Sequence, residues 1–301
     1  MTAAAHTPPL APGTHPAGVT RLAGRSRLAG TAHLAGPTAY PPVWVVVPCH
    51  DEADALPATL DALAAQRGPA LTVLVVDNAS TDGTAEVAAD WATSAAADGR
   101  LPAGTAVALL HEDQKGVGAA VDTGFRVAID AGATHLLRTD ADTLPDPSWA
   151  QTAVAALGAA DAGPDGWDMV TGVSHARPDQ DGLLWRGLFL AAFWAAAAFG
   201  VVRPAHRPLS RTARHRYLMT AGHNMAVRPD AYLACGGMPR QGSPTDRLFA
   251  NRIRHTTSRI RRVPAMRVRT STRRLRGYGL RGAARWYLFK GAPADRREDL
   301  R

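Results

Sequence analysis

At residues 133–143 the sequence reads ATHLLRTDADT, and this stretch decides the fold. Its first five residues form an apolar run with the length of a buried β-strand, and two carboxylates, Asp140 and Asp142, follow where the run ends. Residues two apart in an extended chain point to the same side, so both carboxylates can face one ligand. One or two carboxylates, completed by phosphate oxygens and water, are the usual setting for Mg²⁺ on a phosphorylated substrate. The pattern alone also fits a solvated acidic turn.

Three more apolar, β-branched runs precede this strand, and each is followed by a segment with helical spacing. The runs cover residues 43–47, 71–76 and 107–110, and the helical segments cover 51–66, 85–97 and 117–131. Strand and helix therefore alternate four times within about a hundred residues, which predicts an α/β fold with a mostly parallel central sheet flanked by helices. No G-x-G-x-x-G motif follows the first strand, which disfavours a dinucleotide-binding domain.

Composition and charge narrow the functional classes. The 301 residues are 46% apolar and carry a formal net charge of +8, which is typical of a globular protein with anionic partners. Cys49 and Cys235 form neither a disulfide framework nor a zinc spacing, which predicts a reducing, cytoplasmic setting. We find no secretory signal and no stretch of roughly 18 uncharged apolar residues. The alanine-rich residues 187–202 favour a buried helix or one on an apolar or membrane surface, so peripheral membrane association stays open.

The chain divides into a tail, one domain and a short C-terminal segment. Residues 1–41 are rich in Ala, Pro and Gly and predict a disordered tail. We expect a single domain at 42–290, with a first half at 42–147 and a second half at 148–290, and a flexible C-terminus at 291–301. Within the second half, residues 252–285 are crowded with arginine. That run predicts either a solvated basic surface or a patch that faces phosphate or anionic lipid.

Short motifs then follow one another in a recognisable order. They are VVVPCHDE (45–52), VVDNASTDGT (75–84), KGVG (115–118), DADT (140–143), GHNMAVR (222–228), GGMP (236–239), TDR (245–247) and, more weakly, TSTRR (270–274). Each motif is weak by itself, but the ordered set resembles family 2 glycosyltransferases over about residues 42–276. The resemblance implies a single domain of the GT-A fold, with a nucleotide-sugar-binding half at 42–147 and an acceptor half at 148–290. It also implies a nucleoside diphosphate sugar donor, either a UDP- or a GDP-sugar.

The resemblance also implies a nucleoside site at the ends of the first two strands. Asp77 would bind the base, and Pro48, His50 and Glu52 would flank the nucleoside. The residue types agree, because a carboxylate at a strand end can accept hydrogen bonds from a nucleobase or ribose. The alternative for Asp77 is an Asx-turn that begins the next helix.

Lys115 with Gly116 and Gly118 offers a cation and backbone N–H groups at a helix start, which suits an anion such as a diphosphate. In the family, Asp142 would be the more direct ligand of Mg²⁺ or Mn²⁺, with Asp140 sharing the metal or reaching the ribose, and Ala141 between them in the cofactor site. His223 is a candidate third ligand.

On the acceptor side, Asp246 matches the family's catalytic base, which takes the proton of the attacking hydroxyl in an inverting transfer. Thr245 stands where most relatives have an acidic residue. The alternative is that Asp246 is a negative charge at a helix N-terminus, where the helix dipole favours it. We expect Gly222 and Asn224 to shape the acceptor wall, whereas the acceptor itself stays unidentified.

Two other functions compete with sugar transfer. A nucleotidyltransferase would share the metal and the nucleotide, but it usually begins with a glycine-rich basic loop, and this chain has an acidic one at 48–52. A non-catalytic binder of nucleic acid or anionic membrane would interleave aromatic residues with its arginines. The arginine run has few aromatic residues, so we expect no specific nucleic-acid partner.

Overall fold

The computed structural model describes residues 20–21, 31–159, 166–202, 213–214, 218, 220–241, 245–273 and 276. Its strands are β1 (Thr20–Arg21), β2 (Thr31–Ala35), β3 (Val43–Cys49), β4 (Leu71–Asp77), β5 (Ala106–His111), β6 (His135–Arg138), β7 (Thr143–Pro145), β8 (Met169–Ala176), β9 (Met225–Val227) and β10 (Ile260–Thr270). Its helices are α1 (Leu56–Ala64), α2 (Thr84–Ala97), α3 (Val117–Asp130), α4 (Trp149–Leu157), α5 (Leu183–Val202), α6 (Pro229–Ala234) and α7 (Thr245–Thr256). The expected flexible C-terminus lies outside the described residues, as does most of the expected tail.

The strands form one mixed sheet in the order β1-β2-β5-β4-β3-β6-β9-β8-β10-β7. The four strands β5, β4, β3 and β6 are parallel to one another and form its centre. Antiparallel neighbours flank this centre, with β2 on one side and β9 on the other. The predicted α/β fold with a central parallel sheet is therefore confirmed, and the carboxyl ends of the central strands share one edge.

Helices cover both faces of the sheet. Val45 and Val47 of β3 point into a core with α1, α2 and α4, whereas Trp44 and Val46 point into a second core with α3, α6 and α7. All seven residues of β3 are buried. A strand covered on both faces needs apolar residues at every position, which explains the continuous run from Val43 to Val47.

The predicted disordered tail is wrong for residues 31–41. The strand β2 lies within it and pairs antiparallel with β5, and Thr31, His33 and Ala35 are buried there. Small side chains carry little hydrophobic signal, and the pairing is stabilised by backbone hydrogen bonds that composition does not encode. The folded unit therefore begins before residue 42.

The strand β10 was not foreseen in the arginine run. It pairs parallel with β8 and antiparallel with β7. Met266, Val268 and Thr270 are buried, and Arg267 and Arg269, which alternate with them, are exposed. This alternation is the pattern of a strand with one solvated face, so part of the basic run is solvated as predicted.

The apolar segment at 187–202 lies in α5, which has 20 residues. Among the described residues, no helix combines the length and the apolarity that crossing a bilayer requires.

Candidate active site

The residues predicted to hold the donor follow the carboxyl ends of the central strands. Cys49 of β3 lies opposite Asp77 of β4, and Asp77 lies opposite His111 of β5. In open α/β sheets this edge is where ligands bind. The structure thus brings the loops after the central strands together at one end of the sheet.

Asp77 is buried and partnered by a residue that the sequence did not single out. Nδ1 of His111 donates a hydrogen bond of 3.1 Å to Oδ2 of Asp77. Burial is the largest single influence on the pKa of Asp77 and raises it, but the hydrogen bonds from His111 and Ser80 and the charge of His111 together outweigh burial and lower the pKa. The same bond raises the pKa of His111. Oδ1 of Asp77 is buried without a hydrogen-bond partner in the described part of the chain, so a charged acceptor is left for a ligand.

The loops after β3 and β4 interlock in a strained conformation. Asp51 and Ala79 have φ angles of 53° and 57°, which non-glycine residues rarely adopt. Oδ1 of Asp51 accepts the N–H of Thr81 at 2.7 Å, and Oγ of Ser80 accepts the N–H of Asp51 at 3.1 Å. Backbone strain held in place by surrounding contacts is concentrated at functional sites.

Asn78 connects these loops to the start of α3. Its Oδ1 accepts the N–H of Gly116 at 2.7 Å, and its Nδ2 donates to the carbonyls of Glu112 and Gln114 at 2.8 Å each. The adjacent Lys115 is exposed, and no ion pair joins it to another described residue. Asn78 therefore fixes the backbone on which Lys115 is presented. His50 also contacts Asn78, because its Nδ1 lies 2.8 Å from the Asn78 carbonyl oxygen.

Arg138 links the donor and acceptor sides, and the sequence analysis assigned it no role. Its side chain is 2% exposed. Nε and Nη2 donate to Oδ1 of Asp140 at 3.1 and 3.0 Å, and Nη1 donates to Oδ1 of Asp246 at 2.8 Å. Burial opposes the charge of Arg138, but Asp140 and Asp246 outweigh it and raise the pKa of the guanidinium. One cation thus holds two predicted site carboxylates.

Gly222 completes the support of Asp246. Its N–H donates to Oδ2 of Asp246 at 3.1 Å. A Cβ atom at position 222 would lie 2.4 Å from Oδ1 of Asp246 and 2.5 Å from Nη1 of Arg138, which is too close for real atoms. Only glycine fits against this ion pair.

A second arginine, Arg273, holds the other predicted carboxylates. Its guanidinium makes two hydrogen bonds to Glu52, one of them 2.8 Å from Nη1 to Oε2, and Nη2 lies 3.2 Å from Oδ2 of Asp142. Burial raises the pKa of Glu52 despite the hydrogen bond from Arg273. Glu52 was expected to flank the nucleoside, yet both of its oxygens are engaged by Arg273. The structure places it as a support for the arginine beside Asp142.

Two other expected ligand contacts need correction. Asn224 is fully buried: its Oδ1 accepts the Nε1–H of Trp149 at 2.9 Å, and its Nδ2 donates to the carbonyls of Val173 and Met266 at 3.1 Å each. Asn224 therefore supports the floor of the site and does not line an acceptor wall. Ala141 is 1% exposed, and its carbonyl accepts the hydroxyl of Thr59, so its side chain belongs to the core.

The residues present fit a hard divalent cation. Asp140 and Asp142 both act electrostatically on His223, Glu52 and Arg273, so they converge on one region. Burial lowers the pKa of His223, which keeps the imidazole neutral, and its Nε2 lies 2.7 Å from Oγ of Ser174. No group of three His, Cys, Asp or Glu side chains that could hold a metal occurs within the described ranges. Mg²⁺ and Mn²⁺ do not need one, because phosphate oxygens and water complete two carboxylates.

The sequence-based family assignment can now be tested against known proteins. A family model described as glycosyl transferase family 2 matches residues 44–233 of the chain. The chain belongs to glycosyl transferase family 2. The matched region includes the loops around Asp77, Asp140 and Asp142, and the resemblance stated from the ordered motifs is confirmed.

Individual relatives of this family 2 chain match over part of its length. The chain is 36% identical over 120 residues to an undecaprenyl-phosphate mannosyltransferase of Micrococcus luteus, covering 40% of this chain and 45% of the relative. It is 31% identical over 119 residues to the glycosyltransferase AglE of Haloferax volcanii, covering 39% and 36%. The chain thus spans less than half the length of these curated relatives.

A solved structure resembles the fold over more of the chain. The mannosyltransferase PcManGT from Pyrobaculum calidifontis, in complex with GDP-Man and Mn²⁺, gives a TM-score of 0.54 at 23% identity, covering 88% of this chain and 70% of that one. This likeness is one of fold, and it supports the predicted GT-A type.

Proposed function

We propose that the protein transfers a sugar from a nucleoside diphosphate sugar to an acceptor hydroxyl, with inversion and with Mg²⁺ or Mn²⁺ bound at Asp140 and Asp142. The arrangement of Arg138 carries the proposal. Its buried guanidinium holds Asp140 on one side and Asp246 on the other. A direct displacement needs the leaving group and the base near the same carbon, and one rigid side chain fixes both carboxylates.

The loops of residues 42–147 would bind the donor. Asp77 would accept hydrogen bonds from the nucleobase or ribose through Oδ1, which has no partner among the described residues. Pro48, near the end of β3, and His50, which follows that strand, would flank the nucleoside. Lys115 and the N–H groups at the start of α3 would meet the diphosphate. A bound divalent cation would offset the negative charge that develops on the departing nucleoside diphosphate.

Asp246 would take the acceptor proton. Its side chain is 35% exposed, so an acceptor can reach it. Arg138 and the N–H of Gly222 each occupy one lone pair of its oxygens, and a carboxylate has further lone pairs available for the proton. These contacts orient the base without blocking it.

GDP-mannose is the first donor to test, followed by UDP-sugars. The names of the Micrococcus luteus relative and of the PcManGT complex point to mannose. We place the reaction in the cytoplasm, with peripheral membrane contact through the apolar helix α5 as part of the proposal.

Measurements of donor binding and of sugar transfer distinguish the proposed roles of Asp142 and Asp246. With Mn²⁺ and a panel of GDP- and UDP-sugars, we expect metal-dependent donor binding and slow donor hydrolysis. Asp142→Asn should weaken binding of the nucleoside diphosphate, whereas Asp246→Asn should keep donor binding and lose transfer by roughly 10²-fold or more. Arg100→Gln, a surface arginine paired with Asp61 and Asp98, is the control. The proposal fails if no nucleotide sugar binds, or if Asp142→Asn binds the diphosphate as tightly as the parent.

A further inference from the structure

A cavity of about 340 Å³ opens beside Asp142 on the side of β8 and β10. Asp54 and Ala55, which precede α1, and Ala58 of α1 form part of its wall. The polar remainder of its lining comes from the ends of β8 and β10 and the segments that follow them: Arg177, Gln180, Ser271, Arg273 and Arg276. Three arginines in one cavity need acceptors, and the described contacts do not supply enough.

Arg177 carries the clearest unfilled donor. The residue is 6% exposed. Its Nε and Nη2 bond to the carboxylate of Asp179 at 3.2 and 2.7 Å, but Nη1 is buried without a hydrogen-bond partner in the described part of the chain. A buried donor left unpaired destabilises the folded protein, and more so when the donor is charged. A ligand oxygen at Nη1 would remove this cost.

The other two arginines add unfilled donors to the same cavity. Nε of Arg273 is buried and, among the described residues, also lacks a partner. Arg276 is 43% exposed, and its Nε lies 3.6 Å from Oδ1 of Asp181, beyond hydrogen-bond distance. That oxygen already accepts the hydroxyl of Thr272 at 2.6 Å.

The acidic groups nearby are mostly committed elsewhere. Glu52 and Asp142 both form ion pairs with Arg273, and the half-exposed Asp179 forms one with Arg177. Asp54, which also lines the cavity, is exposed, and water screens its charge. Asp181 is paired with Arg276 at 3.6 Å, and its Oδ2 is buried without a hydrogen-bond partner in the described part of the chain. The donors left for an incoming anion are therefore Nη1 of Arg177 and Nε of Arg273.

We propose that this cavity binds a phosphate monoester carried by the sugar acceptor. This rests on the proposed function, because it names the class of acceptor for the same active site. A phosphate monoester brings three strong acceptor oxygens, enough to meet donors on Arg177, Arg273 and Arg276 together, with the Ser271 hydroxyl as a neutral donor. Asp142, which is assigned to the metal, lines one side of the cavity, whereas Lys115 and the start of α3, which are assigned to the donor diphosphate, do not line it.

The helix α5, which begins beside the cavity, indicates which kind of molecule could carry the phosphate. Gln180 lines the cavity, and α5 begins three residues later with Leu183 and Leu184, which are 82% and 75% exposed. An apolar surface next to a phosphate site suits a lipid phosphate, while a soluble phosphorylated metabolite would use the cavity alone. Both kinds of acceptor carry a phosphate group, and the experiment described next distinguishes them.

Binding should be measured by calorimetry on the full chain saturated with GDP and Mn²⁺. The probes are decyl phosphate, glycerol 3-phosphate and inorganic phosphate, with decanol as the uncharged reference. We expect an organic phosphate to bind while GDP stays bound, and Arg177→Gln to weaken it roughly tenfold to a hundredfold. The half-exposed Arg276→Gln, which threatens folding less, should weaken it in the same direction, and Arg100→Gln should leave it unchanged. Tighter binding of decyl phosphate assigns a lipid acceptor, and tighter binding of glycerol 3-phosphate assigns a soluble one.

Three results would overturn the inference: no phosphate binds, the phosphate displaces GDP, or Arg177→Gln and Arg276→Gln bind it as well as the parent does. Failure of the proposed function looks different. In that case GDP with Mn²⁺ does not bind, and the phosphate titration without nucleotide still reports on the cavity.

Discussion

Replacing Arg138 by methionine tests the connection between the two halves of the site. Methionine has a similar length and no charge, so the substitution removes the guanidinium with little change of volume. Three hydrogen bonds are lost, two to Asp140 and one to Asp246. The two carboxylates then face each other without the cation that holds them.

The expected loss of stability follows from burial. Breaking a buried ion pair by removing one partner costs about 3–5 kcal/mol when the other partner stays dry. Here the partners are 23% and 35% exposed, so water can reach both carboxylates. We therefore expect the free energy of unfolding to fall by about 2–3 kcal/mol, toward or below the lower end of that range. Arg138→Lys should recover part of it, since lysine is a point charge that cannot bond both carboxylates as a fork.

Urea unfolding and steady-state kinetics check this together. We expect kcat to drop by roughly 10²-fold, because a base displaced by about 1 Å loses that much, with a smaller change in the donor KM. Arg100→Met is the matched control, and as an exposed ion pair it should cost less than about 1 kcal/mol. Unchanged stability and kcat in Arg138→Met would refute the reasoning.

Three further outcomes are expected. Gly222→Ala places a Cβ 2.4 Å from an oxygen of the base, so kcat should fall roughly 10–100-fold with about 1–3 kcal/mol of stability lost. Gly187→Ala, in helix α5 with open space around it, should leave kcat unchanged and should not lower stability, because alanine is the better helix former. The pKa of His111, measured by NMR, should lie above 6.5 and should fall in Asp77→Asn. Because the pKa of His111 is raised in the folded protein, its protonated form stabilises the fold at low pH, and this stabilisation is lost as pH rises through the raised pKa. A His111 pKa that is unchanged in Asp77→Asn would contradict the pairing. Asn224→Ala leaves an indole N–H and two carbonyls unpaired, so unfolding should become easier by about 3 kcal/mol while the donor KM stays unchanged; an altered KM with unchanged stability would restore its role as a ligand.

Sequence reasoning succeeded where the signal is local. The run from Val43 to Val47 is apolar because the strand is covered on both faces, and a continuous apolar run is visible directly in the sequence. The same kind of local signal predicted that carboxylates follow the central strands: Asp77 ends β4, and Asp140 and Asp142 follow β6. The same reasoning failed for β2, whose burial depends on pairing with a strand some seventy residues later.

The supporting residues were missed because their partners are distant in the chain. Arg138 and Asp246 are separated by 108 positions, and Arg273 and Glu52 by 221. No spacing pattern connects such pairs. For Asn224 the motif drew attention to the right region, but the motif cannot distinguish a residue that touches a ligand from one that holds the floor beneath it. Burial decides that, and it is a property of the folded chain.

The antiparallel strand β2 has a consequence for folding and solubility. It pairs with β5, whose outer edge would otherwise present unpaired backbone groups to other molecules. Synthesis runs from the N-terminus, so β2 leaves the ribosome before its partner and must wait for residues 106–111 to follow. Until residues 106–111 follow, β2 has no partner for the backbone hydrogen bonds that it makes with β5. The parallel centre of the sheet is therefore closed on this side only after β5 has been synthesised.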